Sequence, residues 1–182
     1  MTISEEAFNK FSEKDRMNRT LEGVAYWCHV QKPKHSEKYK NDAYEVSLVL
    51  DAANVKRAES FGLQVYPAEQ PTATRTQEKC IPGPYVKISR KVRPGKTFEE
   101  TKPDVVDSMQ EKVPNDVLIG NGSNIIVKFG TYYFGDWART TLFKVQILKL
   151  VAFTAKDGGF KRDDTGYRAS ATGTSDAEGF DA

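Results

Sequence analysis

Apolar and polar positions alternate with a period of two along several stretches of this chain. From Val24 to Gln31, Val24, Tyr26, Cys28 and Val30 alternate with Ala25, Trp27, His29 and Gln31, the period of a strand that buries one face. Tyr44, Val46, Leu48 and Leu50 repeat the pattern against Glu45, Ser47 and Val49. A third strand is predicted from Tyr85 to Val92, with Val86 and Ile88 on one side and Tyr85, Lys87, Ser89 and Lys91 on the other, until Pro94 and Gly95 end it. Ile125, Val127 and Phe129 predict a fourth strand running to Phe134, entered through an Asn121-Gly122 hairpin turn. Gly135 and Asp136 then turn the chain into a fifth, Thr141 to Phe153, where Phe143, Val145 and Ile147 alternate with Lys144 and Gln146.

The segments between the strands are less regular. Asp51 is placed to cap a short helix from Ala52 to about Leu63, which Pro67 must stop. Pro67 to Pro84 reads as a connecting loop, and Gly95 to Pro114 as a polar insertion with an apolar patch at Val105 and Val106. Ser4 to Thr20 carries Phe8 and Phe11 at helical spacing among charges, compatible with a short amphipathic helix or with an arm. Beyond Ala155 the chain turns to Gly, Ser, Thr, Ala and Asp, too polar to offset the entropy of ordering. The expected fold is all-β with one short helix: an OB-fold, a five-stranded partly closed barrel. The expected layout is an arm or helix over 1–20, the barrel over 21–155 and a tail over 156–182.

Composition narrows the class. The 182 residues, 38% hydrophobic, suit one domain plus tails, and no apolar run is long enough to cross a bilayer. The N-terminal residues lack the layout of a secretory signal. Cys28 and Cys80 lack CxxC spacing and have only His29 and His35 as companions, so neither a metal site nor a disulfide is expected. A reducing cytoplasm follows. From Asp157 onward three bases face six acids, a net −3, which leaves 24 bases and 19 acids, or +5, for the preceding residues. A basic body with an acidic end is what a nucleic-acid binder with a regulatory tail would show.

The outward positions carry the candidate chemistry. If Val24, Tyr26, Cys28 and Val30 face inward, Trp27 and His29 stand outside. Tyr85, Lys87 and Lys91 share the outer side of the third strand, Ile126, Lys128, Tyr132 and Phe134 that of the fourth, and Trp137 and Arg139 occupy the loop after it. Rings can stack on any base while cations follow the phosphates, so this mixture points to single-stranded nucleic acid held without sequence preference. Enzyme signals are weak. Two histidines without a nucleophile pattern argue against a triad, and Asp104, Asp107, Glu111 and Lys112 resemble a metal-nuclease cluster only within a polar insertion where solvated charges are commoner. No catalytic residue, metal or cofactor is expected.

Trp27 to Pro33 (WCHVQKP), Ala43 to Leu50 (AYEVSLVL), Asp104 to Pro114 (DVVDSMQEKVP) and Leu118 to Phe153 resemble the replication single-stranded DNA-binding proteins of T-seven-like podophages. The glycine turn with its serine and the Lys144 to Gln146 strand are the more specific parts. The resemblance implies an OB-fold that dimerises, binds single-stranded DNA in replication, recombination and repair, and contacts phage DNA polymerase and helicase/primase through an acidic tail. It places Trp27 and His29 at first-strand aromatics, Lys87 at a binding lysine, and Phe134 with Trp137 near stacking aromatics. The tail residues would be Asp176, Glu178, Phe180 and Asp181, and the setting the bacterial host cytoplasm. Two departures stand out: the helix after the second strand is shorter, and the tail only mildly acidic. The residues alone leave open an OB-type RNA-binding module or a viral structural protein whose outer aromatics another subunit covers.

Overall fold

A computed structural model describes residues 8–37, 40–134, 137–153 and 160–162, the backbone alone at 99, 134, 137 and 160–162. Eight strands lie among them: β1 (Arg19–Ser36), β2 (Asn41–Val49), β3 (Tyr85–Lys91), β4 (Asp104–Val106), β5 (Asn124–Phe134), β6 (Trp137–Lys149), β7 (Val151–Phe153) and β8 (Phe160–Arg162). Three short helices accompany them: α1 (Glu13–Arg16), α2 (Ala52–Ser60) and α3 (Phe98–Thr101). The predicted helix is α2, and Asp51 caps it, accepting from the Asn54 N–H at 2.7 Å. Its end comes before Leu63: the Gly62 and Leu63 amides fold back onto Glu59 and Ala58, with Gly62 at φ +77°.

Six strands form one mixed sheet in the order β3-β2-β1-β5-β6-β4. All ladders are antiparallel except β4 on β6. The sheet curls until β3 meets β6, where the Ser89 N–H donates to the Thr140 hydroxyl at 3.1 Å. This is the strand order of an OB-type barrel, left open at one seam. Residues 144–146 of β6 pair with β4, while its first half faces β3 without a backbone ladder. The apolar patch in the predicted insertion is therefore a strand, with Val105 and Val106 buried against β6.

Leu21, Ala25, Val46, Leu48, Ile88, Val127, Phe129, Leu142 and Ile147 fill the interior, and Ala58 and Leu63 plug one end. Each fully buried Leu or Ile contributes about 1.5–3 kcal/mol, and a slip of one residue would turn these side chains outward. The register nevertheless breaks, twice along β1–β2 and twice along β5–β6, and one break in each ladder redirects the buried face. In β1, Tyr26 pairs with Ser47 and His29 with Glu45, so Trp27 and Cys28 together oppose Val46. This bulge flips the inward face: Leu21 and Ala25 point in before it, Val30 after it, and Val24 lies only half-buried. In β6, Lys128 pairs with Lys144 but Phe129 with Leu142. Leu142, not the predicted Phe143, is consequently the buried residue there.

Asn121-Gly122 does turn the chain, with the Ser123 N–H donating to the Gly120 carbonyl and Gly122 at φ +93°. It is not a hairpin, however, because Ile119 pairs with Ala152 whereas Asn124 begins β5 beside β1. The buried Ser123 hydroxyl donates to the Gly120 carbonyl and accepts from the Val151 N–H, tying the turn to β7. β8 pairs with β7, an ordering that the polar composition after Ala155 does not predict.

Candidate nucleic-acid groove

The open seam forms a groove of about 1430 Å³. β3 and the turn after it supply Lys87, Arg90, Lys91 and Arg93; the β5–β6 hairpin supplies Tyr132 and Arg139; the segment after α2 supplies Tyr66. Five cations thus line the groove against one carboxylate, Glu13. Strand alternation sends Lys87 and Lys91 out of the barrel while Val86 and Ile88 point in. Tyr132 opposes Arg139 in the hairpin and stands out of it, 46% exposed.

Tyr66 is held by an ordered loop. Its N–H donates to the Tyr85 carbonyl and the Tyr85 N–H donates back to its own, both within 2.9 Å. The two rings stack with centroids 5.3 Å apart, and the Lys87 ammonium lies 5.4 Å from the Tyr66 centroid. Behind them Glu69 accepts from the Ile81 N–H at 2.9 Å, the Arg75 guanidinium at 2.7 Å and the Tyr85 hydroxyl at 3.3 Å. Burial works against the Glu69 charge, but these donors prevail and hold its carboxyl below the ordinary range. Burial first, then the Glu69 charge, raise the Tyr85 phenol.

Of the residues predicted to touch nucleic acid, Lys87, Lys91, Tyr132 and Arg139 come together here. Arg139 lies in β6 and not in a loop. Trp137 likewise starts β6, its backbone paired with that of Phe134; the two side chains lie outside the described set. Tyr85, predicted outward, is buried, because the loop after α2 returns over it. Ile126 is half-buried. Lys128 is exposed but sits in the row Thr20–Lys128–Lys144, among strands on the other side of β1 from β3.

Trp27 sits in the β1 bulge and His29 directly after it, and neither lines the groove. Trp27 is 37% exposed with φ +50°, a strained backbone for a bulky residue. The Asn121 side chain holds it there by accepting from the Trp27 N–H at 2.8 Å. His29 pairs with Glu45, which also binds Lys34 at 2.9 Å. Burial lowers the His29 pKa, Glu45 opposes that shift and Lys34 adds to it, so the ring is neutral near pH 7. The neighbouring Cys28 thiol is pushed up to about 12 by burial, far from a nucleophile's range.

One of the acidic residues that resemble a nuclease cluster, Asp107, has a structural use. Asp107 is fully buried and accepts from the Met109 and Glu111 N–H groups, shaping the turn after β4. Among the described residues no group of three or more His, Cys, Asp or Glu is arranged to hold a metal ion, Cys28 and Cys80 are free thiols, and no helix is long and apolar enough to cross a membrane. Asp176, Glu178, Phe180 and Asp181 lie outside the described residues. Tyr66, Arg90 and Arg93 are the groove residues that sequence reasoning missed. The density of bases in Lys87–Arg93 (KISRKVR) was the available signal.

No family model and no curated protein matches the chain. Among solved structures it is similar to gp2.5, a single-stranded DNA-binding protein encoded by bacteriophage T7, at 17% identity and a TM-score of 0.47, over 91% of this chain and 99% of that one. It is also similar to the single-stranded DNA-binding protein of bacteriophage Enc34 in complex with ssDNA, at 15% identity and a TM-score of 0.48, over 83% of this chain and 89% of that one.

Proposed function

We propose that this chain binds single-stranded DNA without sequence preference, as a non-enzymatic protein of phage DNA replication and recombination in the host cytoplasm. The observation that carries the reading is the groove at the β3–β6 seam, where five cations meet the rings of Tyr66 and Tyr132 and one carboxylate. Rings without hydrogen-bonding pockets accept any base, and the cations supply a salt-sensitive backbone term. Phe134 and Trp137, whose backbones pair on the same hairpin as Tyr132 and Arg139, are assigned to stacking as well. The acidic tail, with Asp176, Glu178, Phe180 and Asp181, competes for the groove when DNA is absent and recruits the phage polymerase and helicase/primase when displaced. The protein acts as a homodimer.

The test is a fluorescence titration of Trp27 and Trp137 with single-stranded and duplex DNA at several salt concentrations. Single strands should quench strongly and duplex weakly, and five phosphate contacts should give log K against log salt a slope of roughly −3.5. Equal response to duplex, or indifference to salt, would overturn the reading, and stronger binding of poly-U than poly-dT would transfer the site to RNA.

A further inference from the structure

We propose that Tyr66 is the base-stacking residue at the β3 side of the groove, backed by Tyr85, and that Lys87 leaves the Tyr66 ring for a phosphate when the base arrives. This rests on the single-strand reading of the groove.

Three observations converge on Tyr66. Its ring lines the groove although it belongs to a connecting loop, and the backbone pair with Tyr85 fixes it there. Tyr85, buried and anchored through its hydroxyl to Glu69, backs the Tyr66 ring. A stack with a rigid back loses little entropy when another ring is added. The Glu69 network is unusually rich for a surface loop: one carboxylate gathers a backbone amide, a guanidinium and a phenol. Covering Tyr85 would require only an apolar side chain, whereas a half-exposed phenol facing a cationic groove suits a nucleobase.

Lys87 completes the unit. Its exposed ammonium lies over Tyr66, a cation–π contact worth little in water. An incoming base would take over the ring, and its own phosphate would offer the ammonium a full negative charge. One nucleotide thus exchanges with one lysine on one ring, and the exchange involves no base edge, in keeping with sequence indifference.

The experiment combines affinity with photo-cross-linking, using the full chain and a dT oligonucleotide carrying 5-iodo-deoxyuridine. Tyr66→Ala should weaken binding by about ten-fold or more and Tyr66→Phe by less than about two-fold, since stacking needs the ring and not the hydroxyl. The parent should cross-link at Tyr66, and Lys87→Ala should lower the magnitude of the salt slope by about 0.7. Cross-links confined to other positions overturn the proposal, even if Tyr66→Ala binds poorly, because a collapsed loop would produce that loss alone. Unchanged affinity in Tyr66→Ala overturns it too. In either case a large loss in the Arg90→Glu/Arg139→Glu double variant preserves the groove, whereas no loss there rejects the groove itself.

Discussion

Arginines meet aromatic rings in two places in this molecule, and the two places do opposite things. At the start of β1, Arg19 is buried with its guanidinium 5.9, 4.9 and 4.6 Å from the rings of Phe8, Phe11 and Phe61, and it donates to the Phe61 carbonyl at 2.7 Å. At the β3–β6 seam, Arg90, Arg93 and Arg139 face an open groove near Tyr66 and Tyr132. The same residue types make a dry clasp in one case and line an open groove in the other. What separates them is who satisfies the charge. Arg19 gives one donor to the protein's own backbone and lays its charge against rings, and burial, with Arg16 nearby, lowers its pKa. The seam cations face the open groove, where the proposed function gives them a ligand.

The largest expected effect comes from inverting the wet cluster. Arg90→Glu with Arg139→Glu should weaken single-strand binding on the order of 100-fold at low salt and cut the magnitude of the salt slope by roughly 1.4, the share of two phosphate contacts. Thermal stability should hardly move. Filter binding at three salt concentrations, with a parallel thermal melt, checks both halves. Intact affinity would show that the seam is merely a solvated surface.

Next comes the dry cluster, where the effect falls on stability. Arg19→Ala removes a backbone hydrogen bond and three cation–π contacts while relieving the desolvation of a charge, for a net loss of about 2 kcal/mol. Chemical denaturation reads it, and the DNA affinity of the folded fraction should stay within two-fold. Arg19→Met sharpens the comparison by keeping much of the volume. Should it match the parent's stability, Arg19 is apolar filler and its charge contributes nothing. Its Nη2 atom is buried without a hydrogen-bond partner among the described residues, and that unmet cost limits the gain.

Which cluster is which cannot be read from the sequence, although much of the frame can. Period-two patterns located five of the six strands of the sheet, missing the three-residue β4, which is too short to show a period, and Asp51 located the start of α2. The face of β1 was misjudged before the bulge at Trp27, where the Trp27 N–H donates to the side chain of Asn121, 94 residues away. Tyr85 carries the right alternation for an outward residue yet is buried, because the covering loop comes from a proline-rich stretch with no periodic signal. Tyr66 was missed for the same reason. Lys87, Lys91 and Tyr132 were placed outward by the local rule for strands, and they line the groove with Arg139, which the sequence had put in a loop. Phe8 and Phe11 left helix and arm undecided, and their role emerges only when Arg19 is brought against them.

A smaller effect should appear in acid. Glu69 has a folded-state pKa below its unfolded value, so its stabilisation is present above the ordinary carboxylate range and is lost as pH falls through the folded value. As pH falls below about 4.5 the parent should therefore lose more stability than Glu69→Gln. Thermal melts of both proteins across that range test it. Parallel loss would mean that the Glu69 network does not hold the Tyr66 loop, and the binding surface would lack its rigid back.

The smallest effect is the most discriminating. Lys128 is as exposed as Lys87 and was an equally good candidate from sequence, but its cross-strand neighbours are Thr20 and Lys144, and it lies off the groove. If location at the seam, and not exposure or charge, makes a cation useful, Lys128→Ala should change single-strand affinity by less than about two-fold, the scale of a distant screened charge. Lys87→Ala should cost several-fold under the same conditions, and the salt slope should respond to Lys87 alone. Equal losses for the two lysines would mean that the strand wraps across β1 and β5 as well, making the seam one part of a longer path.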